Sequence, residues 1–551
     1  MIKETENLVE DQKNVVSEAI NQHIKKDVKS KAEINPNKSA SFKKLNVNES
    51  SQLPTNDSER FRFIDISIFK DFEKSLCCST CFGTINIIET TNCGFSSTFK
   101  ISCQSCNVEK TWRNSKMVGI KKNVPTINRR AVFAMRMIGK GAKSLQKFSS
   151  YMALPAPVSQ KSYDKINDKI LRATTVVANS CMKKAAEEEE LLTGSSDIMV
   201  SGDGTWKTRG HSSLVGVCTV IGAESGKVID IDVMSSYCKS SGKMEVEGMK
   251  KIFRRSVAER GVRYLSYIGD GDASTFKDVC EDKPYGINTT IEKVECVGHV
   301  QKRMGTRLRK LKKDMKRKKL ADGKTIGGRG RLTDELIKKL TTYYGNAIRK
   351  NKNNLFSMRK DIWAIWMHFV STDADPQHHF CPTGENSWCK YNQAKFKNSL
   401  EKFKHKSSVP RAVMDMIKPI FKALSNPTLL KRCLGGKTQN TNESLNSLIW
   451  NFCSKNTNSS RKIAQIATNL ACISYNNGEK GILDVLKELE LDTGEQQVKD
   501  SLLRDKQRIK LAERCCQKAT LEARKAKKRL KTAEKKAVVK LEGKLYSSGA
   551  F

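Results

Sequence analysis

The chain has 551 residues, and its 100 Lys and Arg against 59 Asp and Glu give a net charge of +41, which predicts a polyanionic partner, nucleic acid before an anionic membrane surface. No apolar run approaches the roughly 20 residues that span a bilayer, and the N-terminus lacks the apolar core of a secretory signal. We therefore expect an intracellular protein of more than one domain, whose 18 cysteines are mostly reduced thiols or metal ligands rather than disulfides.

The first 126 residues change character near residue 60. Residues 1–60 are polar and poor in aromatic side chains, so they cannot bury enough apolar surface to offset the entropy of ordering, and we expect a disordered arm. Residues 61–126 hold two CxxC pairs around two strand-like runs, INIIE and STFKIS. The pairs are Cys78 with Cys81 and Cys103 with Cys106.

Paired CxxC motifs at this separation predict a zinc site. Each pair fits a tight turn, and four thiolates can surround one zinc ion tetrahedrally, which favours a small zinc-ribbon module. Cys77 and Cys93 are additional thiols that could replace a ligand. Buried cysteines without metal are the alternative interpretation. Such a module could bind DNA, bind protein or only stabilise a small fold.

Residues 127–195 show apolar residues at helical spacing, interrupted at Gly139 and Gly141. This pattern predicts a helical region whose last helix ends near residue 194. Two interpretations stay open. The region is a DNA-binding or dimerisation unit, or it is a helical linker that packs on a catalytic domain.

Residues 196–305 carry the pattern of an α/β domain. A strand-like run reaches Asp203, two β-rich runs follow around a turn at Glu224-Ser225-Gly226, and a helix is predicted over 243–260. Another apolar run then reaches Asp270 in the segment YLSYIGDGD. This order predicts the first part of a ribonuclease H-like core, with the first strand central and the strand before Asp270 beside it.

A CxxH pair and a basic run follow. Cys296 and His299 could form half of a zinc site, but no matching pair stands nearby, so we favour a structural role at a strand-to-helix corner. Residues 302–319 contain 11 basic residues and one acid, which predicts a path for a DNA backbone rather than an ordinary solvated face. The candidate DNA contacts are Lys207, Arg209, Arg307, Arg309, Lys310 and Lys312.

Residues 306–429 are predicted to form an all-α insertion in the catalytic domain, because apolar and aromatic residues recur there at helical spacing. Four of its side chains are of types that suit zinc, namely His378, His379, Cys381 and Cys389. A second zinc site is one interpretation. Exposed histidines beside ordinary core or loop thiols are the other.

Residues 430–495 are predicted to complete the core. Asn440, Thr441 and Asn442 offer N-caps, so that Glu443 falls in a first helical turn and can face a metal ion. Residues 496–551 form a predicted basic helical tail, typical of a nuclear-import or phosphate-binding segment.

Two strand-end aspartates and a helical glutamate suit a two-metal nuclease. Carboxylates are the hard oxygen ligands that Mg²⁺ and Mn²⁺ prefer, and paired ions stabilise the attacking and leaving oxygens of a phosphodiester. Turn capping is the alternative interpretation of Asp203 and Asp270.

The chain resembles a Mutator-like transposase over about residues 200–480. The resemblance rests on the segments DGTWKTRG, GDGD, ECVGHVQKR, GGRGRLTD, CPTGENSWCKY and TQNTNESLN. It implies a DDE-type cut-and-paste DNA transposase with an acidic triad and divalent metal ions. By motif, Asp203 would be the first acid, Asp270 the second with Asp272 as its alternative, and Glu443 the third. Cys296 and His299 would form the family's CxxH element.

The resemblance also implies partners and a location. A homo-oligomer in a synaptic complex would bind double-stranded DNA in the nucleus, at the terminal inverted repeats of the transposon and at the target. Two other functions stay open. One is a domesticated, catalytically inactive, zinc-dependent DNA-binding protein derived from a transposase, and the other is a ribonuclease H-like nuclease acting on RNA or recombination junctions.

Overall fold

A computed structural model describes residues 39–45, 62–119, 124–208, 213–235, 241–269, 273–405 and 409–517, with scattered positions between 519 and 533. The chain divides into two compact units. The first comprises Met1–Gly194, Glu224–Ile229 and Leu445–Phe551, and the second Ser195–Ala223 and Asp230–Ser444. Among the described residues, no helix combines the length and apolarity that a membrane crossing requires.

Part of the N-terminal arm is ordered, so the prediction of a disordered arm is wrong for residues 39–45. They form the short helix α1 (Ala40–Lys44), in which the Ser39 hydroxyl accepts a hydrogen bond from the N–H of Phe42 at 3.2 Å. Leu45 is buried, and Lys44 Nζ lies 3.5 Å from the ring centroid of Tyr475. An N-cap, an apolar anchor and a cation–π contact offset the ordering entropy here. The rest of 1–60 lies outside the described residues.

The cysteine-rich module is a three-stranded antiparallel sheet in the order β1-β2-β3. Its strands are β1 (Ile85–Cys93), β2 (Ser96–Cys103) and β3 (Glu109–Arg113), and helix α2 (Ile68–Ser75) precedes them. A short pair, β4 (Met117–Val118) with β5 (Val124–Pro125), follows. The two strands predicted between the CxxC pairs are therefore present.

The helical region that follows has the predicted breaks. Helices α3 (Thr126–Met137) and α4 (Ala142–Tyr151) are separated at Gly139 and Gly141, and the long α5 (Gln160–Thr193) comes next. Gly139 has φ +67°, and a Cβ there would lie 2.5 Å from the carbonyl oxygen of Asn451, so the position requires glycine.

Two C-terminal helices complete the first unit, namely α15 (Arg461–Glu488) and α16 (Glu495–Cys516). Helix α15 packs along α5, where the side-chain amide of Asn469 donates to the hydroxyls of Thr174 and Thr175 at 3.3 and 3.0 Å. Helix α16 covers the first part of the basic helical tail predicted at 496–551.

A five-stranded mixed sheet has the order β10-β9-β6-β7-β8. Its strands are β6 (Asp197–Trp206), β7 (Val215–Gly222), β8 (Val228–Ser235), β9 (Arg263–Gly269) and β10 (Glu292–Glu295). Strand β6 is central, antiparallel to β7 and parallel to β9. The strand that carries Asp203 is thus central and lies beside the strand that leads to Asp270, and the turn predicted at Glu224-Ser225-Gly226 joins β7 to β8.

Helices α6 (Ser241–Arg260) and α7 (Ala273–Asp282) flank β9 in the sequence. After β10 the chain is helical and forms α8 (Val297–Asp314), α9 (Asp334–Lys350), α10 (Leu355–Val370), α11 (Lys390–Phe396), α12 (Arg411–Leu424) and α13 (Pro427–Lys431). These helices share a core of their own, to which α8 contributes Val297, Val300, Met304 and Leu308 at helical spacing. Helix α14 (Asn440–Phe452) follows.

Candidate active site and metal centres

Strand β6 places Asp203 on one face of the sheet. Side chains alternate along a strand, so Ser201 and Asp203 share a face while the glycines between and after them face the other way. On that opposite face, a Cβ at Gly202 would lie 2.4 Å from the ring of Tyr267. The glycine before Asp203 is therefore required by close packing, and the Asp203 side chain is half-buried.

The N-terminus of α14 contacts the face of the sheet that carries Asp203. The buried Asn442 accepts a hydrogen bond from Ser201 Oγ at 2.6 Å and donates one to the Ser201 carbonyl at 3.1 Å. Its amide also lies 3.4 Å from the carbonyl oxygen and 3.3 Å from Oγ1 of Thr219, the β7 partner of Asp203. Asn442 therefore fixes the start of α14 to the strand pair that carries Asp203.

Glu443 follows Asn442 directly and lies in the first turn of α14, where its side chain is exposed. The sequence predicted this turn but gave Asn442 the role of a possible N-cap. In the structure the helix begins at Asn440, and the Asn442 side chain bonds to the sheet instead. Leu445 and Ile449 are buried on another side of the same helix. The Glu443 carboxylate is thus accessible one residue away from the contact with β6.

Gln439 links the CxxH pair to β6. Its side-chain amide donates to the carbonyl oxygen of Gly202 at 2.7 Å, and the residue is 2% exposed. Its backbone N–H donates to the sulfur of Cys296. Burial alone would raise the pKa of Cys296, but hydrogen bonds from the His299 side chain and from the N–H groups of His299 and Gln439 outweigh burial and lower the pKa.

The CxxH pair lies where strand β10 turns into helix α8, because Cys296 is the residue between them. Backbone hydrogen bonds on both sides of Cys296 tie this corner to the segment that leads into α14. The N–H of Glu295 donates to the carbonyl of Arg432 at 2.8 Å, and that of Val297 donates to the carbonyl of Lys437 at 3.1 Å. This geometry supports the interpretation of the pair as a structural corner.

Both candidates for the second acid, Asp270 and Asp272, lie outside the described residues, as does Arg209. The structure describes β9 up to Gly269, with Ile268 beside Ser201 in parallel register.

The sheet gathers more carboxylates than the sequence analysis identified. Burial is the main cause of the raised pKa of the Cys218 thiol, and the negative charges of Glu245, Asp232 and Asp203 raise it further. Cys218 lies opposite Gly204 in the β6–β7 register, and a Cβ at Gly204 would lie 2.8 Å from the Glu245 carboxylate. Because Gly204 faces away from the Asp203 side of β6, Glu245 lies on the opposite face of the sheet from the Asp203 side chain.

The four ribbon cysteines converge. Cys78, Cys81, Cys103 and Cys106 place their sulfur atoms within 4.8 Å of one another. The sulfurs of Cys78 and Cys106 are 3.6 Å apart, and those of Cys81 and Cys103 are 3.4 Å apart. These distances exceed the about 2.05 Å of a disulfide bond. They are near the edge of about 3.8 Å that a tetrahedron with zinc–sulfur bonds of about 2.3 Å has.

Backbone N–H groups in both CxxC turns stabilise thiolates. The N–H of Thr80 lies 3.4 Å from the sulfur of Cys78, and the N–H of Ser105 lies 3.3 Å from that of Cys103. Hydrogen bonds from the N–H groups of Thr80 and Cys81 lower the pKa of Cys78 to about 6. The pKa of Cys103 is lowered too, whereas those of Cys81 and Cys106 are raised. The fit to zinc therefore rests on the four converging sulfur atoms.

The cysteine-rich module has two small apolar groups. Cys78, Ile85 and Cys103 form one buried cluster, and the buried Phe99 stacks on Trp112 in the other. The residue after each CxxC pair, Phe82 or Asn107, has a left-handed backbone with φ +57° or +55°. A metal ion is the natural support for such a small fold with two left-handed turns.

The candidate DNA contacts differ in exposure. Arg307, Arg309 and Lys310 are exposed on the face of α8 opposite its buried apolar residues. Lys312 is half-buried and forms an ion pair with Asp334 at 2.9 Å. Lys207 follows the end of β6 and is buried.

The structure brings together three of the four predicted ligands of the second zinc site, and a different histidine takes the fourth place. His378, Cys381 and Cys389 come together with His368, which the sequence analysis did not select. His379 is exposed and lies outside the cluster. His368 was missed because it lies ten residues upstream, in the last turn of α10.

A family model described as Mutator-like transposase matches residues 60–242 and 239–389. The match covers more than half of the chain and includes the cysteine-rich module, the central strand β6, the CxxH corner and the second ligand cluster. Neither curated proteins nor solved structures give a match.

This match places the chain among the transposases, the class of proteins that move DNA segments. The chain belongs to the Mutator-like transposase family. The matched segment ends before α14, so the match does not cover Glu443.

Proposed function

We propose that this protein is a metal-dependent DNA transposase that cuts DNA and joins the freed ends to new DNA. One observation carries the proposal, the buried contact between Asn442 and Ser201, which are separated by 241 residues in the sequence. This contact holds the helix that carries Glu443 against the strand that carries Asp203. A link between two distant acids is expected where both serve one site.

A ribonuclease H-like core is the fold that the strand order supports. The central strand β6 has an antiparallel neighbour, β7, on one side and a parallel neighbour, β9, on the other. We place the two parts of this core at 196–305 and 430–495, with residues 306–429 as the all-α insertion between them.

The donor set fits Mg²⁺ or Mn²⁺, because carboxylates are hard oxygen ligands and the Asp203 and Glu443 side chains are not fully buried. Asp203, Asp270 and Glu443 would hold the ions, with Asp272 as the alternative to Asp270. When bound, such ions neutralise charge that develops on a transferring phosphoryl group and favour deprotonation of the nucleophile.

Two displacements at phosphorus account for the reaction. In the first, a water oxygen attacks the phosphate at the transposon end and the bond to the 3′ oxygen breaks, which leaves a 3′-hydroxyl. In the second, this hydroxyl attacks a phosphate of the target DNA and displaces its 3′ oxygen. No covalent protein intermediate is required. The chain contributes positioning, since Asn442 and Gln439 hold α14 on β6 and the Cys296–His299 corner supports Gln439.

DNA binding would use the exposed basic face of α8, which begins directly after the CxxH corner. The zinc ribbon would assist in recognising the transposon ends. We also propose that the protein acts in the nucleus as a homo-oligomer that holds both transposon ends at once. Most of the basic tail beyond residue 517 lies outside the described residues.

The test uses the full-length protein with duplex DNA taken from both sides of its coding sequence in the genome. We expect Mg²⁺- or Mn²⁺-dependent cuts at the ends of an inverted repeat, followed by joining to a second duplex. Protein that binds these ends but never cuts them would instead be a catalytically inactive DNA-binding derivative.

The same assay assigns the second acid. Asp270→Asn should abolish cutting, whereas Asp272→Asn should have a mild effect. The reverse result would move the role to Asp272.

A further inference from the structure

The helical part of the second unit contains a second cluster of metal-binding side chains. His368, His378, Cys381 and Cys389 each place one ligand atom within 4.8 Å of the others, and all but His368 are buried. We propose that this cluster is a closed structural zinc site of the Cys₂His₂ type. The inference does not depend on DNA cleavage, since it concerns the folding of the helical part.

The distances between ligand atoms match a tetrahedron. The Nδ1 atoms of His368 and His378 are 3.3 Å apart, and Cys389 Sγ lies 3.5 Å from the His378 Nδ1. Cys381 Sγ lies 3.8 Å from both Nδ1 atoms. Zinc bonds of about 2.05 Å to nitrogen and about 2.3 Å to sulfur give N···N edges of about 3.3 Å and N···S edges of about 3.6 Å.

A cation accounts for this arrangement better than packing does. The two facing Nδ1 atoms can share one hydrogen bond when one ring donates and the other accepts, whereas a single cation can bind both nitrogens and the two buried sulfur atoms beside them. The surrounding apolar cluster is small and consists of Ala364 and the two cysteine ligands. Between Val370 and Lys390 the chain has no helix or strand, and a connection of that length in a compact fold requires a support.

A second set of hydrogen bonds orients His378. Its Nε2 atom lies 2.9 Å from Ser371 Oγ and 2.8 Å from His405 Nε2. His405 Nδ1 in turn lies 2.6 Å from a carboxylate oxygen of Asp373. Metal-binding histidines commonly use their other ring nitrogen in this way, which fixes the tautomer that coordinates. His378 thus has Nδ1 directed to the cluster and Nε2 held by a serine–histidine–aspartate chain.

Asn392 holds the backbone of the ligand loop in place. Its side-chain amide lies within 3.4 Å of the carbonyl of His378, 3.1 Å of that of Cys381 and 3.0 Å of that of Pro382. Three loop carbonyls therefore converge on one buried amide, and the loop has a defined shape around the four ligands.

The test counts metal in the full-length protein. Elemental analysis should find two zinc ions per chain, one for the ribbon and one for this site. Cys389→Ser should lose the zinc ion of this site and keep that of the ribbon. Cys103→Ser should lose the ribbon zinc and keep the ion of this site. After exchange with Co²⁺, Cys389→Ser should remove the visible absorption of the S₂N₂ site and leave that of the S₄ site.

His368→Ala and His379→Ala form a matched pair, because only His368 lies in the cluster. We expect His368→Ala to lose the second ion or weaken its binding, and His379→Ala to retain it. One zinc ion per unmodified chain, or equal loss in both histidine variants, would overturn the proposal. The count in the unmodified protein does not depend on whether any variant folds.

The hydrogen bonds from His378 to His405 and on to Asp373 can be tested separately. Asp373→Asn should keep the second zinc ion but lower its affinity by about 10- to 100-fold in competition with a chelator. The ribbon zinc in the same sample serves as the internal standard. An unchanged affinity would show that Asp373 and His405 do not tune the metal site.

Discussion

Gln439 donates its side-chain amide to the carbonyl oxygen of Gly202 across 2.7 Å and joins two segments that are 237 residues apart in the sequence. Gly202 directly precedes Asp203, and Gln439 lies one helical turn before Glu443. The contact therefore fixes where the two acids lie relative to each other. The N–H of Gln439 also donates to Cys296, so the CxxH corner contacts the same link.

Asn442→Ala should damage both stability and cleavage. The substitution leaves the buried carbonyl of Ser201 without its side-chain partner and frees the start of α14 from β6. We expect a loss of about 1–3 kcal/mol in the free energy of unfolding and at least about tenfold slower cleavage, with DNA affinity unchanged. Denaturant unfolding and a cleavage time course measure the two effects.

Ser447→Ala is the control, because Ser447 lies on the same helix but is exposed. It should leave both quantities unchanged. Equal cleavage rates for Asn442→Ala and Ser447→Ala would mean that the contact with β6 does not position Glu443.

Removal of a ribbon ligand should release one zinc ion. Cys103→Ser breaks the Cys₄ set, so we expect loss of one ion per chain, local unfolding of β1–β3 and weaker binding to transposon ends. Cys93→Ser is the matched control, because Cys93 is an exposed thiol in the same module but outside the set. Full zinc content in Cys103→Ser would contradict the assignment.

Phe82→Gly should stabilise the ribbon. A left-handed backbone costs an ordinary residue about 1–2 kcal/mol, whereas glycine loses about 0.5–1 kcal/mol through the entropy of the unfolded chain. Phe82 is 79% exposed, so its ring contributes little packing. We expect a net gain of up to about 1 kcal/mol in the local opening free energy, measured by hydrogen exchange of the β1–β3 amides.

Asn107→Gly tests the same backbone geometry with a residue that tolerates it better. Asparagine is enriched in the left-handed region, so its gain should be smaller than that of Phe82→Gly. A larger gain at Asn107 would show that backbone strain at Phe82 is not the controlling factor.

The exposed basic face of α8 should set the salt dependence of DNA binding. The slope of log affinity against log salt is about −0.9 per phosphate neutralised. Changing Arg307, Arg309 and Lys310 to Gln should therefore remove up to three phosphate contacts and make the slope less negative by up to about 2.7. Lys338, Lys360 and Lys422 changed to Gln form the charge-matched control on α9, α10 and α12, and all three are exposed. Equal slopes in the two triple variants would mean that the α8 face is only solvated.

Local patterns were sufficient to predict several features. The CxxC spacing identified the four ribbon ligands because both pairs lie on tight turns a few residues long. Short apolar runs that end at glycines identified β6 and the β7–β8 hairpin. The order of these runs identified the central place of β6. The N-cap residues before Glu443 placed it in a first helical turn, which the structure has.

Long-range contacts could not be predicted from the sequence. Nothing in the segment around Gln439 and Asn442 indicates that their amides bond to strand β6 more than 230 residues away. The choice between His368 and His379 likewise depends on which imidazole turns inward, and spacing favoured the wrong neighbour. Residues 39–45 fold through one buried leucine and one contact between a lysine and an aromatic ring. The average composition of residues 1–60 does not reveal such single contacts.

The most direct test of the central claim compares the cleavage rates of Asp203→Asn, Glu443→Gln and Glu281→Gln on the same transposon-end DNA with Mg²⁺. Glu281 is an exposed acid of the second unit, on α7, and serves as the charge-matched control. We expect Asp203→Asn and Glu443→Gln each to slow cleavage about a thousandfold or more, equal to about 4 kcal/mol, while DNA binding and the Glu281→Gln rate stay unchanged. Cleavage at the unmodified rate by either Asp203→Asn or Glu443→Gln would contradict it.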